Sequence, residues 1–197
     1  EDLAEHINFA LEADDLQLSG DLNVHHLIDI FAGEIGAEEI KNKVTNPLEG
    51  LKIAPYYGCQ IVRPRKNGEE VEDPQFFEEI LTALGADAID FAYKTRCCGG
   101  SLLLTNREAA LDMIQHLLRN AEKSGADVIA TACPLCQVNL EVYQTQVNEE
   151  FGTDYSIPVL YFTQIMGLAL GIAPKKLGIG SELVSTLPLL SKYVTKE

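Results

Sequence analysis

The chain has no long apolar run. No stretch of about eighteen apolar residues occurs, so no membrane-spanning helix and no bilayer insertion are expected. Basic residues are scarce, with 15 Lys and Arg against 30 Asp and Glu, a net charge of −15. That balance repels nucleic acid and anionic lipid and leaves no basic stripe for phosphates. It serves solubility, with docking onto a basic partner subunit as the alternative. The opening residues, EDLAEHINFA, show neither a basic n-region nor an apolar h-region, so no secretory signal is expected. A reducing, cytoplasmic setting is, in which thiols persist. The opening also lacks an initiator Met, as a fragment, a processed form or a trimmed chain would.

What remains is ordinary for a globular protein: 197 residues, 46% hydrophobic and 23% charged, enough for one domain with an extension. Apolar periodicity predicts helices over 2–11, from Val24 to Gly33 or Gly36, and over 37–44, stopped by Asn46-Pro47. A strand is expected over 51–57, although Pro55 counts against a central one. A polar loop follows at 63–73, then a helical stripe of Phe76, Phe77, Ile80, Leu81 and Leu84 ended by Gly85. The next strand is placed at 88–93, and Asn106 caps a helix running to Gly125. A third strand at 127–132 leads into a helix reaching to 151, and a fourth at 157–162 precedes a helix capped by Thr163. The tail after Pro174 has no assignment, and its GIGSE segment does not read as a phosphate loop. Strands alternating with helices imply an α/β fold, a parallel Rossmann-like sheet flanked by helices. The expected organisation is a helical lead-in at 1–50, a domain at 51–180 and a tail at 181–197.

The chemistry lies in five cysteines, Cys59, Cys97, Cys98, Cys133 and Cys136. An odd number would leave one thiol over in a disulfide framework. Each group follows a predicted strand, and loops beyond the carboxyl ends of a parallel sheet meet at one edge. Cysteines 38 and 36 positions apart (59 to 97, 97 to 133) are therefore expected to converge. Pro134 suits a first helical position, placing Cys133 and Cys136 on a helix N-terminal turn that favours thiolates. Adjacent Cys97 and Cys98 cannot easily chelate one ion together but can bind different irons of a cluster. Gly99 and Gly100 permit a tight turn whose amides can point at sulfur. The competing readings are buried structural cysteines, a thioredoxin-like CxxC, and zinc or a cubane, each of which takes four thiolates and leaves a fifth unexplained.

The order Cys59, thirty-seven residues, Cys97-Cys98-Gly99, thirty-three residues, Cys133-Pro134-Leu135-Cys136 resembles the cysteine-rich CCG domain. It is most similar to the carboxy-terminal half of the B subunit of CoB–CoM heterodisulfide reductases and their bacterial relatives. Tyr57-Gly58-Cys59, Arg63-Pro64, Phe151-Gly152-Thr153, Ile157-Pro158-Val159-Leu160, Thr163-Gln164 and the run 167–171 carry the likeness, which extends over about 23–180. The resemblance implies a non-cubane 4Fe–4S cluster held by all five cysteines, which accounts for the odd count. It implies an oxidoreductase acting on a disulfide or thiol substrate between two such clusters, supplied with electrons by partner iron–sulfur and flavin subunits. CoM-S-S-CoB is the family's methanogen substrate; the sequence does not name this chain's. With one CCG motif rather than two, the chain is expected to be half of a longer subunit or a single-domain relative, working within a complex. The alternatives are an electron-relay module like those of lactate, glycolate and succinate oxidoreductases, or a zinc-stabilised interaction domain.

His25 and His26 are adjacent and would face apart on a helix. The resemblance aligns His26 with a family histidine, making it the candidate nearer the site. His6 and His116 are expected to face solvent. Arg63, Arg65, Lys94 and Arg96 flank Cys59 and Cys97, where cations would raise a cluster's potential and hold an anionic substrate, ordinary loop charges being the equal alternative.

Overall fold

The computed structural model describes residues 2–21, 24–63 and 72–193. Arg65 of the expected cation set lies outside them. The elements, in order, are α1 (Asp2–Leu11), α2 (Leu27–Asp29), a π-helical segment (Ile30–Ile35), α3 (Gly36–Lys43), β1 (Lys52–Tyr56), α4 (Phe76–Ala83) and β2 (Asp87–Ala88). Then follow α5 (Arg107–Lys123), β3 (Val128–Thr131), α6 (Pro134–Val142), α7 (Gln144–Phe151), β4 (Val159–Tyr161), α8 (Phe162–Ala169) and α9 (Leu187–Leu190). The four strands form one parallel sheet in the order β2-β1-β3-β4, the expected α/β architecture.

Side chains alternate across the strands and bury both faces. Ile53, Tyr57, Val128, Ala130 and Leu160 point into one core with residues of α4 and α8, including Phe77, Ile80, Phe162 and Ile165. Ala54, Tyr56, Ile129 and Val159 point into the other with Leu111, Ile114, Leu118, Cys136 and Leu140 of α5 and α6. Ile28 and Ile40, before β1, and Leu190 and Tyr193, near the end, join the first core.

Pro55 lies inside β1, the strand between β2 and β3. The ladder explains how it is tolerated. Leu51 and Ile53 accept from Asp87 and Ile89 on the β2 side, while Lys52 accepts from Asp127 on the β3 side. Pro55 shares the side of Ile53, where β2 has already ended at Ala88, so its missing N–H costs no ladder bond.

Several expected boundaries change. β2 is two residues long, not a strand over 88–93, because the chain turns at once: Lys94 N–H bonds Phe91 C=O and Arg96 N–H bonds Tyr93 C=O. The helix after β3 is broken at Tyr143, where Gln144 turns inward to exchange hydrogen bonds with both the N–H and the C=O of Ile157. The second helix begins at Leu27, where His26 caps it, not at Val24. Tyr161, not Thr163, stands at the start of α8, its N–H held by Gln164 Oε1 at 2.8 Å.

Candidate metal centre

Three loops leave the carboxyl edge of the sheet and carry the cysteines. β1 runs into a turn at Gly58, whose φ of +68° suits glycine. A Cβ there would stand 3.2 Å from Cys136 Sγ, so glycine at 58 also makes room for a sulfur. The Tyr57 and Gly58 amides both bond Lys94 C=O, at 2.9 and 3.1 Å, tying the Cys59 turn to the chain that brings Cys97. Asn106 Oδ1 accepts from Ala109 N–H as the predicted cap of α5, on which Gly99 packs. Cys133 stands at the N-cap of α6 with Pro134 at its first position, as the sequence predicts, and its N–H bonds the buried Thr131 hydroxyl at 3.3 Å.

The thiols meet in two groups. Cys98 and Cys136 are buried, their sulfurs 3.6 Å apart, with Cys133 beside Cys136. Cys59 and Cys97 lie beside each other on the more open side. Tyr56 lies beneath both groups: burial pushes its phenol up strongly, and Cys136, Cys98, Cys97 and Cys59 each add to the rise. The Cys98 thiol is drawn down to about 6, first by its hydrogen bond with Cys136. The same bond pushes Cys136 up. Burial raises Cys59, with Cys97 beside it adding to the effect.

Gly99 N–H points at Cys97 Sγ from 3.4 Å. Its φ is +76°, and a Cβ would stand 3.1 Å from Ala110 Cα. At Gly100 a Cβ would crowd Leu135 at 3.1 Å and lie 3.5 Å from Cys98 Sγ. The donor set is that of a soft-metal site, all cysteine sulfur, with the Gly99 amide donating to one of them. Among the described residues, no three His, Cys, Asp or Glu side chains converge closely enough to hold a single ion. Two linked thiol groups fit the separate irons of a cluster, and fit a single tetrahedral ion poorly.

A cavity of about 490 Å³ opens beside Cys59 and Cys97, lined also by Arg63, Arg96, Asp112 and His116. His116, expected in solvent, pairs there with Asp112 at 3.4 Å. Arg63 reaches Glu72 at 3.2 Å. Lys94 is not a free cation: it is 4% exposed and clasped by Asp73 at 2.5 Å and Glu78 at 2.8 Å. Burial opposes its charge, but those two carboxylates outweigh it and raise the ammonium's pKa. His26 caps α2, accepting from Ile28 N–H at 3.3 Å, away from the lining of this cavity. Gly58, Tyr56 and Asn139 are site residues that sequence reasoning missed. Only Asn139 leaves a signal, three positions after Cys136 on one helix.

The fold and this edge define a cysteine-rich α/β protein whose thiols are carried on three loops at one edge of the sheet. Residues 53–141 match the cysteine-rich CCG domain. The chain is 39% identical over 189 residues to the B subunit of the ferredoxin:CoB–CoM heterodisulfide reductase of Methanosarcina mazei, covering 94% of this chain and 63% of that protein. It is 35% identical over 185 residues to the 8-methylmenaquinol:fumarate reductase membrane anchor subunit of Wolinella succinogenes, covering 93% and 64%. The chain thus spans just under two thirds of the length of these relatives. A crystal structure of a hypothetical protein from Helicobacter pylori shares the fold, with a TM-score of 0.71 at 16% identity over 94% of this chain and 33% of that one. No helix among the described residues is long and apolar enough to cross a membrane.

Proposed function

We propose that the chain is the cluster-bearing part of a heterodisulfide-reductase-like subunit, in which Cys59, Cys97, Cys98, Cys133 and Cys136 hold a non-cubane 4Fe–4S cluster used in disulfide reduction. The observation that carries the proposal is the meeting of all three cysteine loops over Tyr56, in two linked thiol groups. When bound, such a cluster supplies one-electron transfer and a metal face able to take a substrate sulfur. Reducing a disulfide to two thiols consumes two electrons and two protons; partner iron–sulfur and flavin subunits would supply the electrons.

The chain's own residues do the rest. Gly99 N–H and the buried wall around Cys98 and Cys136 hold sulfur charge away from water. The cavity beside Cys59 and Cys97 gives a small thiol or disulfide access, and Arg63 and Arg96 at its edge favour an anionic one. The complementary half of a two-cluster substrate site would come from elsewhere in the longer subunit.

A second reading, an electron-relay module, is favoured by the likeness to a fumarate reductase subunit. Anaerobic reconstitution, iron and sulfide analysis, and EPR with and without thiols test both. Iron and sulfide in equal amounts, with a spectrum perturbed by thiols, support the disulfide reading. Iron and sulfide with a thiol-insensitive spectrum support the relay. One zinc per chain without iron or sulfide refutes both.

A further inference from the structure

Asn139 lies three residues beyond Cys136 on α6, on the same helix face, and is 1% exposed. Its Nδ2 donates to Cys98 C=O at 2.7 Å, bridging from one cysteine loop to another. Its Oδ1 is buried without a partner. Reversing the amide would set oxygen against the Cys98 carbonyl, acceptor facing acceptor, so the donor orientation is fixed. A buried orphan acceptor destabilises the fold, and an apolar side chain of the same shape would serve packing better.

We propose that Asn139 is a positioning residue of the five-cysteine centre, clamping the Cys98 loop to the helix that carries Cys136. The inference rests on the cluster reading above. Held by the Asn139 bond, the Cys98 sulfur stays 3.6 Å from the Cys136 sulfur, so the loop and the helix present their thiols together.

Asn139→Leu keeps the shape and removes the donor; Asn139→Asp keeps the shape and places a carboxylate there. Both are compared with the wild-type chain after anaerobic reconstitution with iron and sulfide. The readouts are iron per chain, midpoint potential followed by EPR, and the thermal unfolding midpoint of the apo-protein. The expected result is iron lost, or a potential displaced from wild type, in both variants, with apo Asn139→Leu unfolding no earlier than wild type. A stable apo Asn139→Leu that loses iron supports the clamp. Full iron with an unshifted potential overturns the proposal, as does an apo Asn139→Leu that unfolds well below wild type, and Asn139→Leu decides if Asn139→Asp does not fold. Wild-type chain that takes up neither iron nor sulfide refutes the cluster reading itself, a failure distinct from these.

Discussion

Tyr56 ends β1 and Tyr57 follows it directly, yet they serve opposite faces of the sheet. Tyr57 enters a core of aromatic rings, meeting Phe76 and Phe77 edge-on at centroid distances of 4.8 and 5.6 Å, with Phe77 in turn edge-on to Phe162 at 6.2 Å. Its hydroxyl binds Glu78 and accepts from Phe77 N–H. That face contains no cysteine. Tyr56 enters the other face, where Cys98 and Cys136 pack among Leu111, Ile114 and Leu140, and its hydroxyl bonds Arg96 C=O at 2.6 Å beside the thiols. The two-residue period of a strand lets the stabilising core and the reactive edge share a backbone while remaining separately mutable.

Substitutions on the two faces should therefore separate. The largest expected effect is on the thiol face. Cys98→Ala removes the sulfur that links Cys136 to the Cys97 loop, and most bound iron should be lost while the apo-protein stays folded. Iron and sulfide per chain with circular dichroism of the apo-protein measure this; full iron and an unchanged EPR spectrum would refute five-cysteine ligation. On the other face, Phe77→Ala should cost about 3–5 kcal/mol of stability by urea unfolding, because it opens a cavity under a fully buried ring. Iron per folded chain should not change. A variant that lost both together would break the separation.

Gly99→Ala tests the boundary between the two roles. Holding a non-glycine residue at φ +76°, with Cβ 3.1 Å from Ala110 Cα, costs about 1–3 kcal/mol. The amide that faces Cys97 must shift as well. A smaller stability loss than that of Phe77→Ala is expected, accompanied by an altered EPR spectrum. An unaltered spectrum would show that the amide contributes nothing to the centre.

The architecture was legible because three of the four strand candidates led into a cysteine and the helix stripes were long enough to show their period; α1 and α5 fall where the pattern puts them. What the sequence hid depended on contacts across the sheet. The burial of Phe91 beside Tyr56 makes residues 89–93 look strand-like, although the chain there is turning. Gln144 is polar within an apolar stripe, and its inward hydrogen bonds to Ile157 break the helix without a glycine or proline to announce it. At the site, CxxC and CCGG showed where the sulfurs lie, but not that Lys94 is consumed by Asp73 and Glu78, nor that His116 turns toward the Cys59 side.

The smallest expected effect concerns the rim of the cavity. Arg63 and Glu72 form a pair at 3.2 Å with side chains 58% and 75% exposed, so solvent and salt screen it strongly. Arg63→Gln should change stability by no more than about 0.5 kcal/mol. Arg63 also lines the cavity at Cys59 and Cys97, where its charge acts on whatever enters. Binding of a sulfonate-bearing thiol to the reconstituted protein, followed by the EPR perturbation, should weaken several-fold in Arg63→Gln, and the gap should narrow as KCl is raised. An uncharged thiol of the same length should bind both proteins alike. Equal weakening for both thiols would mean that Arg63 shapes the rim sterically, and the electrostatic part of the comparison would pass to Arg96, the other arginine lining the cavity.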